Sequence, residues 1–365
     1  MEEKILQLCK IFQIEGEYLG FKEVGNGHIN NTYCVHFLNG GEEERYILQR
    51  INTYVFKDPV GVMQNIASVT EFVRRKIEET GVIAERAVLN YQKKSSGEYY
   101  HVLEDGSFWR SCRYIKDSVA VLRAENEYII EQSGRAFGEF QKYLFDYPVS
   151  ELNIVIPHFH NTILRFENFR KALENNFSGR KHLIEDEIAG YFALEEVACE
   201  PYKMQKRKEI PLRVTHNDTK TSNVLFDVNT MERLCVIDLD TVMPGLVAFD
   251  FGDAIRIGAN KADEDEKDVT KAVLDLEKYE AFTRGFLREL GPYLTENEKR
   301  SLPLGAIAMT VECGVRFLTD YLDGDKYFRV HYSEHNLVRA RCQLALARDM
   351  LKRFDEMQEI VKKYC

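Results

Sequence analysis

The sequence predicts an α+β protein in two lobes: a small one built on an antiparallel sheet and a larger, mainly helical one. Three observations carry this. The first third alternates apolar and polar residues in short runs broken by glycine, as strands do. From about residue 122 the apolar spacing becomes helical. Strand signal then returns only briefly, around "NVLFD" and "RLCVIDLD".

In order, "MEEKILQLCKIF" reads as a short amphipathic helix, and "GFKEVGNGHINNTYCVHFLNGGEEERYILQRIN" holds three strands separated by glycine turns. Residues 60–79 place Met63, Ile66, Val69, Val73 and Ile77 at helical spacing, so one helix packs on the sheet. "ERAVLNY", "EYYHVLE" and "SFWRSCRYI" read as further strands. Helices are then expected over 125–145, 163–176 and 180–206, and again from 268 onward. "DVNTME" is a turn cluster, so the two late strands form a hairpin. The expected boundary falls near 116, giving lobes of 1–116 and 117–365. The charge run "KADEDEKD" reads as a solvated loop or a helix start.

A chain of 365 residues with 44% hydrophobic residues is long enough for two cores. The net charge of −10 offers no basic surface for nucleic acid or an anionic membrane. No run of about 18 apolar residues suggests a membrane span, and the acidic start does not resemble a signal peptide. The eight cysteines are scattered without a C-x-x-C pair, which fits reduced thiols in a cytoplasmic protein.

The chemistry concentrates in "VTHNDTKTSNVLF". His216, Asp218 and Asn223 have the spacing H-x-D-x-x-x-x-N of the protein-kinase catalytic loop, in which the aspartate accepts the substrate hydroxyl proton and the asparagine holds magnesium on the nucleotide phosphates. Lys220 is placed to reach the γ-phosphate. The alternative is a polar loop with a helix cap and a turn. "CVIDLDTVMPGLVAFDFGD" then offers two competing candidates for the main metal ligand. Asp250-Phe251-Gly252 is a literal D-F-G. Asp238 closes the strand that pairs with the one after the catalytic loop, and topology favours it. Asp240 is a candidate for a second metal or for support behind the ligands. Asp250 is expected to be structural, bonded to backbone amides or to His216.

In the small lobe, "GNGHINNTY" lies between two strands, so Gly25 and Gly27 either let backbone amides approach phosphates or form a plain β-turn. Gln49 of "YILQR" stands where a kinase lysine would clamp the phosphates, a departure from the protein-kinase pattern. Arg113, Tyr114 and Ile115 lie at the lobe junction, where backbone groups would pair with adenine; position alone supports this. "PHFHN", with His158 and His160, reads as a loop before a helix rather than a metal site.

Together, "THNDTKTSNVLF", "VIDLDTVMPG" and "FDFGDAIR" resemble the aminoglycoside phosphotransferase and choline kinase superfamily of small-molecule kinases. Within it, "GHINNTY", "RYILQRIN", "IDLDTVMPG", "ECGVRFLTDYLDGDKYF" and "EHNLVRAR" resemble the N-acetylhexosamine 1-kinases, in the same order and over nearly the whole chain. The resemblance implies the bilobal protein-kinase-like fold and transfer of phosphate from ATP, with Mg2+, to the anomeric hydroxyl of N-acetylglucosamine or N-acetylgalactosamine. It implies Asp218 as base, Asn223 and Asp238 as magnesium ligands, and His28, Arg316 and Tyr327 at the sugar. Gln49 matches this group as well. The residues alone would read Arg316 as a structural partner of Glu312 or Asp320. The rival expectations are a related kinase for an aminoglycoside, choline or homoserine, and a nucleotide-binding module without catalysis.

Overall fold

The computed structural model describes residues 1–24 and 29–365. Two compact units divide the chain. The first comprises Met1–Val119, Asp146–Pro157 and Leu225–Met243; the second comprises Ala120–Phe145, His158–Val224 and Pro244–Cys365. Both are discontinuous, where the sequence predicts a single boundary near 116.

In the first unit, α1 (Glu2–Ile11) turns Ile5, Leu8 and Cys9 inward. They join Val35, Phe37, Tyr46, Leu48 and Trp109 in a core on one face of the sheet. That sheet contains β1 (Glu17–Glu23), β2 (Asn31–Asn39), β3 (Glu42–Ile51), β4 (Tyr100–Val102) and β5 (Phe108–Arg113), in the order β1-β2-β3-β5-β4. All its pairings are antiparallel. Gly40 and Gly41 join β2 to β3 with φ of 58° and 87°. A two-residue hairpin whose twist matches its strands needs positive φ at both positions, which glycine adopts without strain. The β3–β5 register sets Gln49 opposite Arg110.

Helix α2 (Pro59–Glu78) begins where expected. Asp58 caps it by accepting from the Gly61 amide, and proline occupies its first turn. The five predicted apolar positions are all buried. Asn65, also buried, donates to the carbonyls of Asn153 and Val242 and so ties the later segments of this unit to α2. The late hairpin forms as β8 (Val224–Asp227) and β9 (Arg233–Val236), in a three-stranded sheet with β6 (Ser118–Ala120).

One expected strand is absent. "ERAVLNY" contains the end of a single 3-10 turn, Ala84–Arg86, and then only an isolated bridge from Tyr91 to Cys112. Arg86 explains the turn: its guanidinium donates to the carbonyls of Lys116 and Asp117 and to the Asp227 carboxylate. These long-range bonds outweigh a local strand preference.

The second unit pairs β7 (Arg213–Thr215) with β10 (Met243–Gly245) and is otherwise helical. Its helices are α3 (Glu127–Tyr143), α4 (Thr162–Asn175), α5 (Glu185–Lys206), α6 (Val247–Gly258), α7 (Leu276–Leu290), α8 (Glu296–Asp323), α9 (His335–Lys352) and α10 (Phe354–Lys363). Helix α8 starts in a capping box between Thr295 and Glu298. By length and composition it could cross a membrane, but 78% of its most apolar window is buried, as in a core helix. "KADEDEKD" is a loop. The cysteines are free, and of them Cys365 alone is exposed.

The literal D-F-G is the start of α6, not a loop. Phe251 packs edge-on among Tyr279, Phe282 and Phe286. A Cβ on Gly252 would strike the backbone carbonyl of Gly305 in α8. The glycine therefore permits close contact between two helices.

Candidate active site

The catalytic-loop residues follow β7 and are built around one backbone position. Asn217 has φ of 64°, in the left-handed region that asparagine tolerates better than most residues. Its side chain donates to the Thr215 carbonyl at 3.2 Å and accepts from the Thr215 hydroxyl at 2.9 Å. A side chain on Gly245 would collide with both groups, so this crowded corner requires glycine.

Asp250 holds the loop from below. Its carboxylate is 1% exposed and accepts from the amide of His216 at 2.8 Å, the amide of Asn217 at 2.7 Å and Gln141 Nε2 at 2.6 Å. The Thr219 hydroxyl donates to the Asp250 carbonyl. Burial pushes the Asp250 carboxyl up, against those donors and the neighbouring His216. This residue performs the structural role expected of it: it orients the backbone on which Asp218 stands. The His216 ring, fully buried, meets the Phe137 and Phe140 rings edge-on. Its Nδ1 accepts from the Asp218 amide at 3.2 Å.

Asp218 is one-third exposed. Lys220 Nζ lies 2.8 Å from its Oδ2. Asn223, buried, donates through Nδ2 to the Asp218 carbonyl at 2.9 Å and to Oδ2 at 3.2 Å. Burial raises the Asp218 carboxyl, but Lys220, His216 and Asn223 outweigh it and hold the group below the usual carboxylate range. Asp218 is therefore an anion at neutral pH, able to accept a hydrogen bond from an alcohol. The five-residue spacing brings Asp218 and Asn223 together. With Nδ2 on Asp218, the Asn223 amide oxygen is the atom suited to a hard cation.

Arg316 and Tyr327 also come together in the second unit. The guanidinium lies 5.8 Å from the Tyr327 ring centroid and 5.4 Å from that of Phe328. Arg316 lies on α8, and the loop that follows the helix and carries Tyr327 wraps Asp320, whose carboxylate accepts from the amides of Lys326, Tyr327 and Phe328 at 2.8–2.9 Å and from Asn336 at 2.9 Å. Asp320 thus shapes the loop, while Tyr327 stays 74% exposed.

Asp238 belongs to the first unit. It follows β9 with φ of 60° and ψ of 54°, and its side chain is exposed. A non-glycine residue in this conformation carries local strain, and such strain is common at ligand-binding positions. Asp240 is different. It is 3% exposed, paired with the equally buried Arg110, and accepts from Asn30 at 2.7 Å. Arg110 Nε also donates to Gln49 Oε1 at 2.9 Å, and Gln49 donates to the Thr32 hydroxyl at 3.1 Å. Where a kinase lysine is expected on β3, this chain has a glutamine bonded to a buried arginine on β5. No local pattern marks Arg110, because its partner lies 130 residues away.

At the expected adenine-pairing segment, the amides of Arg113 and Tyr114 donate to the carbonyls of Asn90 and Arg45. Ile115 is buried. The Arg113 side chain pairs with Glu44 at 2.6 Å. Gly25, Gly27 and His28 lie outside the described residues.

An antiparallel sheet backed by one long helix, with a mainly helical unit carrying the H-x-D-x-x-x-x-N loop, is the architecture of the kinase-like phosphotransferases. The chain belongs to the APH phosphotransferase enzyme family, whose model matches residues 20–290. Solved structures share the fold over nearly its whole length. A choline kinase from Cryptosporidium parvum is 13% identical with a TM-score of 0.60, over 99% of this chain and 98% of that one. An aminoglycoside phosphotransferase from Alicyclobacillus acidocaldarius is 10% identical with a TM-score of 0.59, over 96% and 94%. A spectinomycin phosphotransferase in complex with ADP and spectinomycin is 14% identical with a TM-score of 0.55, over 100% and 98%.

Proposed function

We propose that this phosphotransferase is an ATP-dependent kinase that phosphorylates the anomeric hydroxyl of N-acetylhexosamines, giving a sugar 1-phosphate. The observation that carries the reading is the contact between Arg316 of α8 and Tyr327 on the loop around Asp320, in the same unit as the ionised Asp218. It gives a charged donor and a phenol to a neutral polyol. Both stand in the stretch "ECGVRFLTDYLDGDKYF", which resembles the N-acetylhexosamine 1-kinases. Charge-assisted bonds from Arg316 would fix the sugar.

Asp218 orients the anomeric hydroxyl and accepts its proton as the oxygen attacks the γ-phosphorus. This hydroxyl is the most acidic on a hexose, so it needs the least help from a base. Lys220, held on Asp218, is the cation at hand for the γ-phosphate. Asn223 and Asp238 offer amide and carboxylate oxygens, the donor types magnesium prefers. Magnesium would neutralise charge on the nucleotide phosphates. The protein's own contribution is positioning and electrostatics, as a loose phosphoryl-transfer transition state requires. The unpaired cysteines support a reducing compartment, the cytoplasm.

Phosphorus NMR of the product tests the reading. N-acetylglucosamine should give an anomeric phosphate and its 1-O-methyl glycoside none. Equal phosphorylation of the glycoside, or turnover of choline or an aminoglycoside in preference to every hexosamine, overturns it.

A further inference from the structure

His160 precedes α4 in the turn "PHFHN", and its side chain is 10% exposed. Each ring nitrogen faces an oxygen. Nδ1 lies 3.2 Å from Glu312 Oε1, and Nε2 lies 3.0 Å from the backbone carbonyl oxygen of Asn217. A carbonyl only accepts, and so does an ionised carboxylate, whereas a neutral imidazole has a single N–H to give. Both contacts are hydrogen bonds if the ring is an imidazolium and Glu312 an anion.

The surroundings favour that charge state. Glu312 is 1% exposed, and its Oε2 accepts from the Thr162 hydroxyl at 2.9 Å. Arg165 of α4 has its Nε 3.9 Å from Oε1, and Arg316 follows one turn later on α8. Both guanidiniums act to keep Glu312 ionised. On the α6 side, Asp253 favours the imidazolium while itself paired to Arg256 at 2.9 Å, and the Phe249 ring packs 5.8 Å from the imidazole. Burial opposes the charge on His160, but Glu312, the Asn217 carbonyl and Asp253 outweigh it and raise the group above its ordinary value.

We propose that His160, as an imidazolium, is a positioning residue for phosphoryl transfer: it clamps the carbonyl of Asn217, the residue before Asp218, to Glu312 on the helix that carries Arg316. Asp250 fixes the amide of Asn217; His160 fixes its carbonyl. The left-handed peptide ahead of the base is thus held from both ends. The proposal rests on Asp218 being the base. As pH rises through the raised value of His160, the ring loses a proton and one nitrogen presents a lone pair to an oxygen. The loop then loosens, and turnover should fall on the alkaline side.

The test combines the pH dependence of kcat for wild type, His160→Gln and Glu312→Gln with nitrogen NMR of histidine-labelled wild-type protein. His160→Gln should lower kcat roughly ten- to a hundredfold, the scale on which misplaced catalytic groups act. It should change both KM values less and lack the alkaline limb. Glu312→Gln removes the counter-charge and should shift that limb to lower pH. NMR should show both His160 nitrogens protonated near neutral pH. A neutral His160 ring, an unmoved limb in Glu312→Gln, or a loss confined to KM overturns the proposal. The NMR reading needs no turnover, so it decides the charge state even if the acceptor assignment fails or His160→Gln does not fold.

Discussion

Replacing Asp250 by asparagine tests whether Asp250 is structural and Asp238 the metal ligand, as proposed. In the structure, Oδ2 of Asp250 serves both the His216 amide and Gln141, and Oδ1 serves the Asn217 amide. An asparagine has one acceptor oxygen. Its better orientation keeps the His216 and Gln141 bonds and turns NH2 toward the Asn217 amide, leaving two donors face to face in a buried site. A buried polar group without its partner costs about 2 kcal/mol. The two retained bonds lose their charge assistance, about 1 kcal/mol each. Burial already disfavours the Asp250 anion, so removing the charge returns part of this sum. The expected loss is about 2–3 kcal/mol. For a cooperative unit of some 200 residues that is a fall of roughly 5–10 °C in Tm. The assay is thermal unfolding of wild type, Asp250→Asn and Asp238→Asn, followed by magnesium titration of ATP binding below the lower Tm. Asp250→Asn should melt early with near-normal metal dependence. Asp238→Asn should melt normally and need far more magnesium. If Asp250→Asn instead keeps its Tm and shows the larger loss of metal affinity, the metal ligand has been assigned to the wrong aspartate.

Asp218→Asn should reduce turnover by roughly 10²–10⁴-fold, the usual scale for a lost general base, while ATP binding stays within a few-fold; more than a tenth of wild-type activity would exclude Asp218 as the base. Because the Asp218 carboxyl lies below the usual range in the folded protein, activity should persist on acidification until that depressed value is crossed, and Lys220→Met should move this acid limb upward. Arg316→Ala should raise the sugar KM far more than the ATP KM in steady-state titrations; equal effects would count against sugar contact. Arg110→Met strands the buried Asp240 carboxylate and should destabilise the first unit by about 3–5 kcal/mol in a urea melt; adding Asp240→Leu should restore much of that, and no restoration would mean Arg110 matters for another reason.

Much of this architecture is written in local pattern. The Gly40-Gly41 hairpin, the capped α2 and the return of strand signal near residue 224 each depend on neighbours within a few positions, where backbone geometry and periodicity decide the outcome. The same holds for the Asp218–Asn223 contact, which spans a single short turn. Local pattern misled at one place. "ERAVLNY" has strand propensity, but Arg86 bends the chain to reach Asp227, 141 residues away. At "DFG" the expected structural role of Asp250 holds, but the reason for its glycine, the close approach of Gly305 of α8, is not local.

What the tertiary structure alone decided is which charges meet. Arg110 with Asp240, and His160 between Glu312 and Asn217, carry no signature in their own segments. "PHFHN" gives no sign of an acid 152 residues on, although a lone glutamate in the apolar run of α8 was a signal that it must be paired. Periodicity reports only which face of an element is buried. A buried charge is stabilised by whatever group the fold sets beside it, and that depends on packing between segments distant in sequence.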